Sequence, residues 1–523
     1  MRKLTIIVCV LLAMCCVVPS FAQEKPPAAP PDDVAAKLDG ILDQIVNGIP
    51  NLIPGAPAGA LLVRTKDWQY AKAKGFTMQG GSDKVTPEMA FQIGSNTKMM
   101  TSTIILQLHE EGQLNIDDLM SKYLPDIAAR IPNGDKVTIR HLLSHRSGIW
   151  DFVDGSRPKP GETEKPKDGL FYVALDDERL FTRDYTPEEL IDFAVKNGKP
   201  EFAPGSVNEE GKPNFAYCNT GYVLLGMIIE KVTGQKAEAA FRTRIFDPLG
   251  MTQSYLETSV PKKGATPQGY LDGRDVTNFN LSMAWTAGSV IATPSDMATF
   301  ITALLTGKLF KNPATLALME SDPTINAPTG GDYALGLQDK AHGGGLWGHG
   351  GQTLAFESDV AYDVETGMAI VAWGNATSNP AAYGATLVKG VLAPPQPTAI
   401  PLTMQDIHGK LLKLMSTYDP ATAIKREFAQ DDHYTVVFNA DGTMNITADC
   451  NKVSASYTVS GQNALTITLG ASTLVACASD SFADQFLASL GKATTFIIVA
   501  EAQNLDVILL DSDGASLSFQ STP

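Results

Sequence analysis

A proline-rich tract at residues 393–401 (APPQPTAIP) divides the chain into two segments of unlike texture, each of which has to fold about its own core. Ahead of it, residues 58–63 and 68–73 alternate as a hairpin turning at Lys66-Asp67. Residues 354–362 and 368–373 read as a second strand pair joined through Glu365-Thr366-Gly367. Between them lie helical patterns, such as Thr293-Pro294-Ser295-Asp296, an N-cap with proline at N1, followed by Met297, Phe300, Ile301 and Leu304. Strands at both ends with helices between predict an α+β domain whose sheet brings the ends together. Beyond the tract the period is two: Tyr434, Val436 and Phe438, then Tyr457 and Val459, then Leu465, Ile467 and Leu469, with one helix at about 482–490. At 523 residues and 44% hydrophobic, the chain can bury one large core and one smaller core.

Another proline-rich spacer, residues 24–33 (EKPPAAPPDD), precedes a helical stripe of Val34, Leu38, Ile41, Leu42, Ile45 and Val46. Before it, Arg2 and Lys3, an apolar run from Leu4 to Val18 and Ser20-Phe21-Ala22 read as an export signal. The run is short for a bilayer span, so no stable membrane anchor is expected. Cleavage removes Cys9, Cys15 and Cys16 and leaves Cys218, Cys450 and Cys477. The last two share a β-rich segment and are the candidates for a disulfide, which export permits. Losing Arg2 and Lys3 moves the formal charge from −16 to −18, which argues against nucleic acid and anionic membranes as partners.

The chemistry-bearing pattern is Ser95 and Lys98 in FQIGSNTKMM, a hydroxyl and an amine three residues apart on one face of an apolar helix that ends at Gly112. A serine needs a neighbouring base, and a partly desolvated lysine one turn on can act as one. Ser156-Arg157-Pro158-Lys159 has the same spacing, but its prolines forbid the helix. Tyr217-Cys218-Asn219 adds a phenol that a nearby ammonium can draw toward phenolate, and an amide that can orient the lysine or hold a substrate carbonyl. Of two His-Gly-Gly triplets, only His349-Gly350-Gly351 runs directly into a strand pattern. The amides of Gln352 and Ser95 are therefore the expected oxyanion donors. His141 and His145 lie four apart without a third ligand, so no metal and no cofactor is expected.

With S-x-x-K, Y-x-N and H-G-G in that order, residues 34–390 resemble the serine β-lactamase and penicillin-binding-protein superfamily, in the branch of class C β-lactamases, D-Ala-D-Ala carboxypeptidases and related esterases. Residues 113–125, 137–149, 221–234 and 245–251 support the likeness. The tail resembles the META domain of exported bacterial proteins through FNAD (438–441), ADCN (448–451) and STLVAC (472–477). The first resemblance implies a β-lactamase/transpeptidase-like fold, an antiparallel sheet flanked by helices plus an all-helical lobe, with the active site between them. Ser95 is then the nucleophile, Lys98 and Tyr217 share acid and base work, Asn219 binds the substrate amide, and His349, Gly350, Gly351 and Gln352 line the substrate, His349 meeting its carboxylate or the tyrosine. His349 stands where class C β-lactamases have lysine, closer to the carboxypeptidase and esterase members.

The expected organisation is a signal peptide at 1–22, a linker at 23–33, a hydrolase domain at 34–392, a linker at 393–402 and a META-like β domain at 403–523, its core at about 430–523. The expected protein is a bacterial serine hydrolase, periplasmic or extracellular, forming an acyl-enzyme in the manner of a D-Ala-D-Ala carboxypeptidase or D-amino-acid peptidase. Its substrate is a small molecule or peptide: a peptidoglycan stem, an ester or a β-lactam. A carboxylesterase or a class C-like β-lactamase is the nearby alternative. A non-catalytic protein binding peptidoglycan or β-lactams is the alternative of another class, and oligomeric state is open.

Overall fold

A computed structural model describes residues 27–50, 52–156, 167–209, 211–257, 266–321, 324–327, 331–392, 402–419, 424–428, 432–461, 463–473, 475–478, 481–501 and 504–521. The export signal expected at 1–22 and the tract at 393–401 lie outside them. The chain divides into two compact units, 1–393 and 394–523.

Among the described residues the first unit has an eight-stranded sheet built from β1 (Ala58–Arg64), β2 (Gln69–Gly75), β3 (Thr324–Ala327), β4 (Gly331–Tyr333), β5 (Gln338–Asp339), β6 (Leu346–Gln352), β7 (Glu357–Asp363) and β8 (Met368–Gly374). Its order is β2-β1-β8-β7-β6-β5-β4-β3. β1 runs antiparallel to β8, from Gly59 opposite Gly374 to Arg64 opposite Ala369, so both ends of the domain meet in one sheet. The helices that matter here are α1 (Asp32–Asn47), α2 (Thr97–Glu110), α3 (Asn219–Thr233), α4 (Pro294–Leu305) and α5 (Gly384–Leu392).

β1, up to Arg64, and β8 are apolar along their length because both faces are covered. Leu61 and Val63 of β1 pack with Leu38, Ile41 and Ile45 of α1 and Val388 of α5. Ala60 and Leu62 point the other way, into a core that takes in Met297, Phe300 and Ile301 of α4 and most of the helical lobe. Within that lobe α2 is buried at every residue from Thr97 to Leu108. Some of its polar groups bond to the surrounding backbone: Thr101 donates to Thr286 O (2.7 Å) and Gln107 Nε2 to Leu309 O (2.9 Å). Gly112 has φ 69°, the left-handed conformation expected after the helix end.

One expected strand starts late. Residues 354–356 are apolar and buried, but they form a turn in which Thr353 Oγ1 accepts from the amides of Ala355 (3.1 Å) and Phe356 (3.0 Å), and β7 begins at Glu357. Local side-chain capping outweighs the strand pattern there.

The second unit has nine described strands, from Leu412–Asp419 to Ser516–Ser521, and the last pairs back on the first, which closes the sheet. Val436, Phe438, Ile446, Val453 and Tyr457 fill its interior together with Phe486 and Leu490 of the helix Ala483–Lys492. Asp441 caps its turn by accepting from Thr443 N (3.0 Å) and Oγ1 (2.6 Å), and Asp449 sits at φ 55°. Cys450 and Cys477 form a disulfide, with Cα atoms 5.5 Å apart and a sequence separation of 27. Closing a loop of that length is worth about 3.5 kcal/mol in the chain-entropy account. Reduction with dithiothreitol is expected to lower the melting temperature of this unit, read by differential scanning calorimetry of the whole chain, and to leave the first unit's transition in place.

Candidate active site

Ser95 lies in a single 3-10 turn, Gly94–Asn96, that leads from the short strand Phe91–Gln92 into α2. It is part-exposed, while Gly94 and the residues from Asn96 to Leu108 are buried. Two glycines make this approach possible. Gly94 has φ 54°, and a Cβ there would stand 2.7 Å from the backbone N of Gln352; a Cβ on Gly351 would stand 2.0 Å from Ile93 O. The end of β6 is thereby laid against the serine turn, while Gly350 faces open space and its amide donates to Gln338 Oε1 (3.0 Å). The other triplet, at 342–344, forms a turn whose His342 is paired with Asp332 (3.0 Å).

Lys98, one turn on, is buried among three acceptors: Ser95 Oγ at 3.0 Å, Asn219 Oδ1 at 2.7 Å and Ala287 O at 2.8 Å. An ammonium has three donors, and all three are used. Burial pushes its pKa down to about 7, against the opposing charges of Asp151, Asp154 and Cys218.

Tyr217 comes from the extended segment before α3. Its hydroxyl is hydrogen-bonded to Ser95, and Lys98 Nζ lies 4.7 Å from its ring centroid. The expected drift toward phenolate does not occur. Burial dominates and raises this phenol well above its usual pKa of 10.0, leaving Tyr217 a neutral hydroxyl and Lys98 the group whose unprotonated form is accessible.

Asn219, the first residue of α3, is held on both sides. Its Oδ1 faces Lys98, its Nδ2 donates to Asp151 Oδ2 (3.1 Å) and its backbone amide donates to Asp151 Oδ1 (2.8 Å). Lysine only donates and a carboxylate only accepts, so this amide has a single orientation. Asp151 is not singled out by the sequence pattern. It opens the charged segment 151–184, with nothing in one dimension to separate it from Asp154.

His349 lies on β6. It is 1% exposed, its Nδ1 is 2.5 Å from Gly350 O and its Nε2 is 3.0 Å from Tyr333 Oη. A carbonyl only accepts, so Nδ1 carries the proton and Nε2 accepts from Tyr333. Burial, with the Lys98 charge adding to it, lowers its pKa to about 3. It is a neutral ring braced by Tyr333, and its centroid is 6.3 Å from that of Tyr217.

The remaining candidates have structural partners. His145 packs against Tyr217, Tyr222 and Tyr333 with centroids 4.3, 5.1 and 4.6 Å away, and its Nδ1 accepts from Cys218 N (3.0 Å). His141 completes the N-cap of the helix Ile139–Leu143 with Thr138. Cys218 is a buried free thiol whose Sγ donates to Ile149 O (3.1 Å). Among the described residues no group of three or more His, Cys, Asp or Glu side chains could hold a metal ion, and no helix is long and apolar enough to cross a membrane.

Comparison with known proteins places this geometry. A family profile described as Beta-lactamase matches residues 43–393, and one described as META domain matches residues 413–523. The chain is 26% identical over 261 residues to the teichoic acid D-alanine hydrolase of Staphylococcus aureus, covering 49% of this chain and 56% of that protein. It spans about half the length of the curated relatives it matches. Among solved structures, a D-stereospecific amidohydrolase from Streptomyces sp. is 26% identical with a TM-score of 0.56, covering 69% of this chain and 99% of that one. The D-amino acid amidase from Ochrobactrum anthropi SV3, complexed with L-phenylalanine amide, is 26% identical with a TM-score of 0.56, covering 68% and 97%.

Proposed function

We propose, for a chain that belongs to the Beta-lactamase family of serine hydrolases, that Ser95 takes the acyl group of a D-amino acid amide or ester and passes it to water. The observation that carries this reading is the constellation itself: a part-exposed serine hydroxyl bonded to a buried lysine of lowered pKa and to a neutral phenol. Unprotonated Lys98 accepts the Ser95 proton as Oγ attacks the carbonyl. The amides of Ser95 and Gln352 hold the oxyanion, and Tyr217 hands a proton to the departing amine or alcohol while Lys98 resupplies it. Water then attacks the acyl-enzyme with the same pair as base. Asn219 holds Lys98 in place and offers its second amide hydrogen to the substrate's carbonyl.

The choice of leaving group follows from His349. A D-Ala-D-Ala carboxypeptidase expels an amino acid whose carboxylate needs a cation, and His349 is neutral with both nitrogens engaged. An uncharged leaving group fits this better, in keeping with the D-amino acid amidase and the teichoic acid D-alanine hydrolase among the similar proteins. The catalytic domain is proposed to span 34–392 and the META-like domain 403–523, in an exported protein of the periplasm or exterior. The Cys450–Cys477 disulfide supports an oxidising compartment.

The test is a substrate panel on the purified protein: D-alaninamide, its L-enantiomer, a D-alanyl ester and a peptide ending in D-Ala-D-Ala. The D-amide and D-ester are expected to exceed the D-Ala-D-Ala peptide in kcat/KM by about tenfold or more, the scale on which one unpaired charge discriminates. Faster release from the peptide would restore the carboxypeptidase, and binding without turnover would favour the non-catalytic alternative.

A further inference from the structure

We propose that Asp151 is a positioning residue for the Ser95 chemistry: its carboxylate grips Asn219 by backbone and side chain together and so fixes the amide oxygen to which Lys98 is bonded. The inference rests on the acyl-enzyme reading above and names a group that the reading itself does not need.

Asp151 is 6% exposed, and its known acceptor capacity goes to two places. Oδ1 takes the Asn219 amide at 2.8 Å; Oδ2 takes Asn219 Nδ2 at 3.1 Å and the amide of Asp154 at 3.3 Å. Desolvating a carboxylate is costly, and an apolar residue fills such a space more cheaply. What an apolar residue cannot do is determine which end of the Asn219 amide faces Lys98. Without the carboxylate the amide can turn over, presenting NH2 to an ammonium that also only donates. Lys98 then loses its shortest hydrogen bond, and with it the geometry toward Ser95 Oγ.

The arrangement has an electrostatic signature that a purely structural carboxylate lacks. Lys98 faces Asp151, Asp154 and Cys218 as charged or titratable neighbours, with the rings of Tyr217 and Tyr222 beside it and the neutral His349 nearby. The Asp151 charge favours the ammonium. Removing it makes Lys98 easier to deprotonate, so the acidic limb of the rate profile, where Lys98 is protonated and inactive as a base, moves to lower pH.

The experiment measures kcat/KM for a p-nitrophenyl acyl ester against pH in the whole chain, for the wild type and for Asp151→Asn, Asp151→Glu and Asp154→Asn. Asp151→Asn is expected to move the acidic limb down by about one pH unit and to lower the plateau about 10- to 100-fold, through kcat rather than KM. Asp151→Glu keeps the charge and is expected to keep the limb at the wild-type pH with a smaller loss. Asp154→Asn is expected to keep the plateau. An unmoved limb in Asp151→Asn, or a plateau within twofold of wild type, overturns the proposal; should that variant fail to fold, a displaced limb in Asp151→Glu does so. A wild type that turns over no ester sinks the acyl-enzyme reading first, and this proposal with it.

Discussion

Ser95→Ala is expected to lower kcat/KM for D-alaninamide by at least about 10⁴-fold, because removing the nucleophile of an acyl enzyme leaves only what binding and the oxyanion donors supply. The substitution deletes one part-exposed oxygen and touches no core contact, so the fold should be unaffected. Lys98 keeps two of its three acceptors, Asn219 Oδ1 and Ala287 O. A melting temperature within a few degrees of wild type, together with the loss of turnover, assigns the effect to chemistry. The D-ester should lose activity in parallel, since both substrates pass through the same oxygen.

Lys98→Met carries the second large effect, a loss of about 10³-fold in kcat/KM, the middle of the range for a positioned general base. Methionine matches the volume and needs no desolvation of charge, but it leaves Asn219 Oδ1 and Ala287 O without their donor, at a cost of about 1–3 kcal/mol for each buried group. The variant should therefore fold with modestly lower stability. In the wild type, burial holds the amine near a pKa of about 7. The rate should consequently fall about tenfold for each pH unit below that value, because only unprotonated Lys98 accepts the Ser95 proton. Lys98→Met should flatten this limb. A residual rate that keeps the wild-type pH dependence would assign the base role to a different group.

The parts of this site that the sequence reveals are those set by local geometry. Ser95 and Lys98 are three residues apart across the 3-10 turn that runs into α2, a spacing that brings them together before any tertiary contact is known, and Gly112 follows the helix end. The second His-Gly-Gly triplet lies inside β6, which ends at Gln352 instead of beginning there, while the first lies in a turn. What stays hidden depends on contacts between distant segments. Asp151 meets Asn219 across 68 residues, and the Tyr333 hydroxyl meets His349 through the packing of short strands that carry little pattern of their own. The protonation states follow the same rule. A tyrosine near a lysine suggests phenolate in one dimension, but desolvation is a property of the folded interior, and it raises Tyr217 while it lowers Lys98 and His349. The sheet is legible where strands alternate and less so at 354–356, where an apolar run is drawn into a capped turn.

The central claim is tested most directly by trapping the acyl-enzyme. The whole chain is incubated with a fluorescent penicillin or a slow D-aminoacyl ester, quenched in acid, digested and mapped by mass spectrometry. The expected result is a single stoichiometric adduct on the peptide carrying Ser95, formed faster as pH rises through about 7 and absent in Ser95→Ala. An adduct on a different residue, or substrate turnover in which Ser95→Ala matches the wild type, would contradict it.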